Sequence, residues 1–282
     1  MVARRPDGTV GAPRWQAPGP APAGDGCEPR WAPAPDETCD ALSGRWRIYQ
    51  LRKGHRYSLD DQLTADFAVE AAAARGVPVA EALDLGCGIG SVLLMVAWRL
   101  PHARLVGVEA QERSAGLARR SAAFNGVEGR VEVRQGDLRE VDLGDRRFDL
   151  VTGSPPYLPY GTGTVSARPQ CEPCRFEARG GVEDYLAVAA RRLAPGGVAA
   201  VCHAARDRGR VLAAARAAGL DAVRVQDVVP REGKPPLIAL FAFVTAGGGE
   251  GLDEAPPLVV RDRAGLRTPA YGLVRARMGF PP

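Results

Sequence analysis

The sequence predicts an α/β fold built on a doubly wound, mostly parallel sheet, and three observations predict it. Short apolar runs alternate with helical patterns from about Trp46 to Val244. A glycine-rich turn joins the first strand of that series to an apolar helix. The last two strands are separated only by Pro230–Pro236, too short for a helical crossover, so they should be antiparallel neighbours.

The elements follow in order. Eight of the 24 prolines fall between Pro6 and Pro35, interleaved with glycine and alanine. Such an arm buries too little to offset its ordering entropy, so residues 1–44 are expected to be disordered or loosely draped. Arg45–Leu51 alternates as a short strand, and Ser58 or Asp60 is placed to cap a helix over Leu63–Ala74 that Gly76 and Pro78 end. A strand at Ala82–Leu85, a buried helix at Val92–Leu100 and a strand at Arg104–Glu109 come next. A helix over Arg113–Phe124 closes on Asn125–Gly126, and strands follow at Arg130–Arg134 and Phe148–Thr152. After an irregular insert, Leu158–Gly181, a helix over Val182–Leu193 is expected to stop at Pro195–Gly196–Gly197 before a strand at Val198–His203. Arg206–Ala218 reads as a helix, and Ala222–Val229 and Leu237–Val244 as the closing strands. With Arg45–Leu51 set apart, the strands from Ala82 onward make a seven-stranded sheet, the last strand reversed, within one domain over residues 45–245, with 246–282 as linker and C-terminal tail.

Composition limits the function. Apolar residues make up 45% of the 282 and charged residues 25%, the balance of a chain with a real core. The net charge of +4 does not announce a nucleic-acid binder. Only Lys53 and Lys234 are lysines, so the arginine excess reads as GC-rich coding rather than selected phosphate contacts. No stretch of 18 apolar residues exists, and no membrane partner is expected. The first thirty residues lack an apolar h-region, although Arg4, Arg5 and Arg14 against Asp7 leave an organellar transit peptide open. Six cysteines without a disulfide framework suit a reducing compartment, and a cytoplasmic location is expected.

Chemistry concentrates at the predicted strand ends. Asp84–Leu–Gly86–Cys–Gly88–Ile–Gly90 lies between a strand and a helix, where glycines let backbone approach a ligand. Its Gly-x-Gly-x-Gly spacing, with an acid two residues upstream, differs from the Gly-x-Gly-x-x-Gly of dinucleotide folds and suits S-adenosylmethionine (SAM). Glu109, ending the second strand of the series, is placed to accept both ribose hydroxyls, and Asp137 to accept from the adenine amino group. Ser154–Pro155–Pro156–Tyr157 ends the fourth. A conjugated amino nitrogen is a poor nucleophile until two acceptors hold its hydrogens and turn its lone pair toward a methyl donor. Ser154 Oγ and the Pro155 carbonyl are the expected acceptors, Pro156 stiffens the loop, and Tyr157 offers a stacking face. These four are the expected catalytic residues.

Gly54–Asp61, Leu63–Phe67, Asp84–Gly90, Val108–Gln111, Ala122–Gly126 and Ser154–Tyr157 together resemble the bacterial tRNA (adenine-N6)-methyltransferases that act on a valine tRNA. The resemblance covers roughly Arg45 to Val244, and Leu258–Gly279 looks like that family's C-terminal extension. It implies a Rossmann-like class I methyltransferase fold and SAM as cofactor. It also implies an RNA partner, a tRNA, methylated on adenine N6. The cofactor site carries over onto Asp84, Gly86, Gly88, Glu109 and Asp137, and is expected to include Tyr57, Gly90, Ala110, Leu138 and Ser154. Two departures stand out. Ser154 replaces the family's asparagine, as in cytosine-N4 DNA methyltransferases, which puts the base in doubt while keeping amino-group chemistry. The insert around Cys171, Cys174 and Arg175 lies where substrate should sit. Cys171-x-x-Cys174 with Cys27 and Cys39 is a weak zinc pattern, and no metal is expected. Arg168, Arg175 and Arg179 suit phosphate contact or a solvated loop equally. Protein-glutamine and small-molecule N-methyltransferases stay open as alternatives, as does an inactive binding partner of the same fold.

Overall fold

The structure, a computed structural model, describes residues 15–26, 28–157, 180–249 and 251–281. Regular structure begins earlier than the proline-rich composition suggests. Strand β1 (Glu37–Ala41) pairs antiparallel with β2 (Arg47–Leu51), so the expected boundary at residue 44 is corrected. A few anchors outweigh the average composition of this stretch. Trp31 and Tyr49 each meet Phe124 edge-on at 5.6 Å, and the Tyr49 hydroxyl donates to the Trp31 carbonyl at 2.5 Å. The backbone N–H of Gly24 donates to the Phe124 carbonyl at 2.9 Å. Buried Glu37 accepts from Arg120 at 2.6 Å and from Arg113 at 3.0 Å. The first fourteen positions of the expected arm lie outside the described residues.

Helix α1 (Leu59–Ala74) is capped by Ser58, whose N–H donates to the Asp61 carboxylate at 2.7 Å. It is buried along most of its length because it packs between the sheet and further helices, which is why its sequence is alanine-rich rather than amphipathic. The series then runs β3 (Glu81–Leu85), α2 (Ser91–Arg99), β4 (Arg104–Glu109), α3 (Glu112–Phe124), β5 (Val131–Gln135) and β6 (Phe148–Gly153), close to the predicted spans. Along the strands alternate residues face opposite helical layers: Ala82, Leu105 and Leu150 on one side, Leu83, Val106 and Val151 on the other.

Helix α4 (Val182–Arg192) stops before the Pro-Gly-Gly that was expected to end it, and β7 (Leu193–Ala204) already includes those residues. The register between β6 and β7 shifts between Phe148 and Leu150, so Pro195–Gly197 forms an irregularity inside a strand rather than a helix terminus. After α5 (Arg208–Ala217), β8 (Leu220–Val229) and β9 (Ile238–Thr245) pair antiparallel, as their short link requires.

The stretch expected to be linker and tail is structured. Strand β10 (Asp253–Val259) adds parallel to β8, giving eight strands in the order β10-β8-β9-β7-β6-β3-β4-β5 where seven were expected. Pro256 and Pro257 made this segment read as non-strand. They are tolerated because β10 is an edge strand whose register shifts at that point. Helix α6 (Pro269–Arg277) starts with proline at its first position, and the Thr268 hydroxyl caps the Tyr271 N–H at 3.2 Å. It docks on α1 through the Tyr271 hydroxyl, which donates to Gln62 at 3.0 Å, and through Arg277, which clasps Asp66 at 2.9 and 2.6 Å. The carboxyl ends of the parallel strands share one edge of the sheet, where such folds bind ligands. Among the described residues, no helix is long and apolar enough to cross a membrane.

Candidate active site

The turn from β3 into α2 holds Gly86, Gly88 and Gly90 at φ of +61°, +56° and +86°, left-handed values that suit glycine. Each has a different reason. A Cβ on Gly86 would collide with the Tyr185 hydroxyl, and one on Gly90 would press Ala118 Cβ at 3.0 Å. A Cβ on Gly88 meets nothing, because that residue faces a cavity of about 880 Å³. Gly86 and Gly88 line this cavity, together with Glu109 and Ala110 after β4 and Asp137 and Leu138 after β5. Ser154, Pro155, Pro156 and Tyr157 close its other side.

Three expected cofactor residues lie elsewhere. Gly90 caps α2 and serves its packing on α3. Tyr57 is outside the wall, with its hydroxyl donating to the Ala41 carbonyl at 2.6 Å. Asp84 is buried beneath the glycine turn, where the Thr152 hydroxyl donates to Oδ1 at 2.8 Å. Burial pushes its carboxyl up to about 7, and Oδ2 has no hydrogen-bond partner among the described residues.

Glu109 is fixed by backbone: Oε2 accepts from Gly88 N at 2.9 Å and Oε1 from Gln111 N at 2.7 Å. Carboxylate oxygens can each accept a second bond, which is what a pair of vicinal hydroxyls would supply. Asp137 is held in a fork by Arg139, with Nε at 2.9 Å and a terminal nitrogen at 2.6 Å, so any bond to an adenine amino group must be shared with that pair.

The loop after β6 carries the residues expected to hold an amino group. Ser154 Oγ is buried with no hydrogen-bond partner among the described residues. Pro155 and Pro156 are buried and contribute no N–H. The Tyr157 hydroxyl lies 3.3 Å from Asp60 Oδ2 and 3.1 Å from Cys202 Sγ, and its ring meets His203 edge-on at 5.2 Å.

Sequence reasoning missed the acids of α1. Asp60 and Asp61 both line the cavity. Asp61 Oδ1 accepts from the Ser91 hydroxyl at 2.8 Å, tying α1 to the start of α2. Burial, and then the charge of Asp60, push its carboxyl up. Two consecutive acids after Ser58 read as helix-capping residues, which Asp61 also is, and that reading masked their position at the cavity. His55, Arg56 and Arg206 line it as well. Cys27, Cys171, Cys174, Arg168, Arg175 and Arg179 lie outside the described residues. Among the described residues, no group of three or more His, Cys, Asp or Glu could hold a metal.

Residues 82–167 match the family described as methyltransferase domain. The chain is 44% identical over 91 residues to release factor glutamine methyltransferase of Geobacter sulfurreducens, covering 32% of this chain and 31% of that protein. It is 38% identical over 80 residues to tRNA1(Val) (adenine(37)-N6)-methyltransferase of Porphyromonas gingivalis, covering 27% and 31%. A longer match, 31% identical over 186 residues, is to 4-amino-L-phenylalanine/4-methylamino-L-phenylalanine methyltransferase of Streptomyces pristinaespiralis, covering 59% and 62%. The chain thus spans between about a third and about three fifths of these curated relatives. A predicted O-methyltransferase from Agrobacterium tumefaciens superposes with a TM-score of 0.61 at 20% identity, covering 79% of this chain and 98% of that one. The fold is that of a Rossmann-like class I methyltransferase, and residues 82–167 carry its methyltransferase domain signature.

Proposed function

We propose that this chain is a SAM-dependent N-methyltransferase whose acceptor is a conjugated amino nitrogen, namely the exocyclic N6 of adenine in RNA. The observation that carries the reading is Ser154 Oγ, buried and without a hydrogen-bond partner among the described residues, in the wall of the cavity that the glycine turn and Glu109 also line. A buried hydroxyl without a partner costs stability unless a ligand supplies one. The residues present fit SAM: Gly88 leaves room for it, Glu109 would offer acceptors to a ribose, and Ala110 and Leu138, which line the same cavity, would contact its adenine. When bound, SAM supplies an electrophilic methyl group on a sulfonium.

The chain's own residues do the positioning. Ser154 Oγ and the Pro155 carbonyl accept the two hydrogens of the amino group, which turns its lone pair toward the methyl. Tyr157 flanks the planar group to which that nitrogen belongs. No strong base is required, because the proton becomes acidic only after transfer and then passes to water. The three curated relatives support a nitrogen acceptor, since their names specify a glutamine, an adenine N6 and an arylamine.

A second acceptor, a small arylamine, is favoured by one observation: the match to the amino-phenylalanine enzyme extends over 186 residues, well beyond the cofactor half of the domain. Tritium transfer from labelled SAM to total RNA, protein and small-molecule fractions, run side by side, tests both. Label in RNA supports the first reading, label confined to small amines replaces it with the second, and label confined to protein overturns both.

A further inference from the structure

The Tyr157 hydroxyl has a use that stacking does not explain. It sits between Asp60 Oδ2, at 3.3 Å, on the first turn of α1, and Cys202 Sγ, at 3.1 Å, near the end of β7. A carboxylate only accepts, so the phenol gives its hydrogen to Asp60, and the thiol is left to donate to the phenol oxygen. Burial raises the Tyr157 phenol well above its ordinary range and pushes the Cys202 thiol up to about 12, so both donors keep their protons at neutral pH. Asp60 is itself steadied, because its Oδ1 accepts from the Ser58 hydroxyl. Three segments distant in sequence therefore converge on one phenol: the N-terminus of α1, the loop after β6 and the end of β7.

We propose that Asp60 is a positioning residue, a latch that holds Tyr157, and with it the Ser154–Tyr157 loop, in the geometry that methyl transfer needs. This rests on the reading of that loop as the acceptor site. Among the described residues the loop has no strand partner at this point, and its two prolines cannot donate to neighbours, so side-chain anchoring helps to fix it. The 3.3 Å separation is long for a hydroxyl on a carboxylate, and contacts of this kind shorten when an active site fills.

The test combines two measurements on wild type, Asp60→Ala, Asp60→Asn, Tyr157→Phe and the double variant Asp60→Ala/Tyr157→Phe. The first follows alkylation of Cys202 by iodoacetamide, read by peptide mass spectrometry without any acceptor present. The second follows kcat and KM on total RNA, or on 4-amino-L-phenylalanine if that fraction takes the label, with calorimetric SAM affinity alongside. Release of the latch should speed Cys202 labelling in Asp60→Ala and Tyr157→Phe. It should lower kcat about tenfold, the loss expected from one positioning hydrogen bond, with SAM affinity kept. Asp60→Asn, which still offers an acceptor oxygen, should stay near wild type on both measures. The double variant should be no worse than either single one, because one interaction is removed twice.

Unchanged Cys202 labelling, or additive losses in kcat, overturns the latch. So does a rise in KM alone in Asp60→Ala that Tyr157→Phe does not share, since Asp60 would then be a substrate contact. If Asp60→Ala does not fold, Tyr157→Phe and Asp60→Asn decide. Latch-dependent labelling in a protein that methylates no fraction would sink the functional reading and leave the latch standing.

Discussion

Asp84 sits under the glycine turn as a carboxyl raised to about 7 by burial, against 3.8 for the ordinary group. Between those two values the folded chain holds a proton that the unfolded chain has released, so stability falls as pH rises through that window and levels off above about 7. Chemical denaturation from pH 4 to 8 should show this decline, and Asp84→Asn, which keeps an acceptor for Thr152, should make it shallower, the remainder coming from the similarly raised Asp61. A steeper profile in the variant would contradict the assignment. Gly88 makes a different prediction. Its φ of +56° penalises a side chain by about 1–2 kcal/mol, yet a Cβ there meets no protein atom. Gly88→Ala should therefore fold with a modestly lower Tm and lose SAM affinity by calorimetry, because the methyl projects into the cavity. Tyr157→Ala should cut kcat about a hundredfold, the scale of a misplaced reacting group, and leave SAM affinity nearly intact. Equal losses in both would remove Tyr157 from the acceptor side. Ser154→Asn should keep activity on adenine, and complete loss would point to another acceptor.

At the scale of elements, α6 belongs to the domain. Asp66 of α1 is buried and shared between Arg99 at 2.9 Å and the Arg277 fork. Removing the carboxylate leaves two guanidinium groups without it, so Asp66→Ala should cost about 3 kcal/mol in urea denaturation. Tyr271→Phe removes one buried hydrogen bond to Gln62 and should cost about 1–2 kcal/mol. Both losses should be felt by α1, whose first turn carries the cavity acids Asp60 and Asp61. Cutting the chain after Ala246 should therefore weaken SAM binding as well as lower Tm, and a truncated chain with full affinity would show the C-terminal elements to be dispensable.

For the molecule as a whole, what could be read from sequence was local. The strands from Glu81 to Gly153 are short apolar runs, buried nearly throughout except at β5, and sharp turn residues bound them, so their positions and their parallel pairing follow from pattern and connection length. Gly86, Gly88, Glu109 and Ser154–Tyr157 reach one cavity because strand ends in such a sheet share an edge. What escaped depends on contacts distant in sequence. Trp31 and Glu37 are ordered by α3, and β10 tolerates two prolines only because it is the last strand of the sheet. Asp60 acquires its place at Tyr157 across a separation of 97 residues, and no window of sequence displays that.

Trp98 stands where the described ends of the chain meet. The Arg45 N–H donates to the Pro18 carbonyl at 3.1 Å, and the Gly44 N–H to the Gly279 carbonyl at 3.1 Å. Side chains at Gly19 and Gly279 would each come within 2.8 Å of the indole of Trp98. One fluorophore is thus wrapped by a segment before the sheet and another after it. In a chain whose other tryptophans, Trp15, Trp31 and Trp46, are replaced by phenylalanine, its emission should shift to the red when either wrapping is loosened, so one optical readout can tell whether the two flanks release together or in turn.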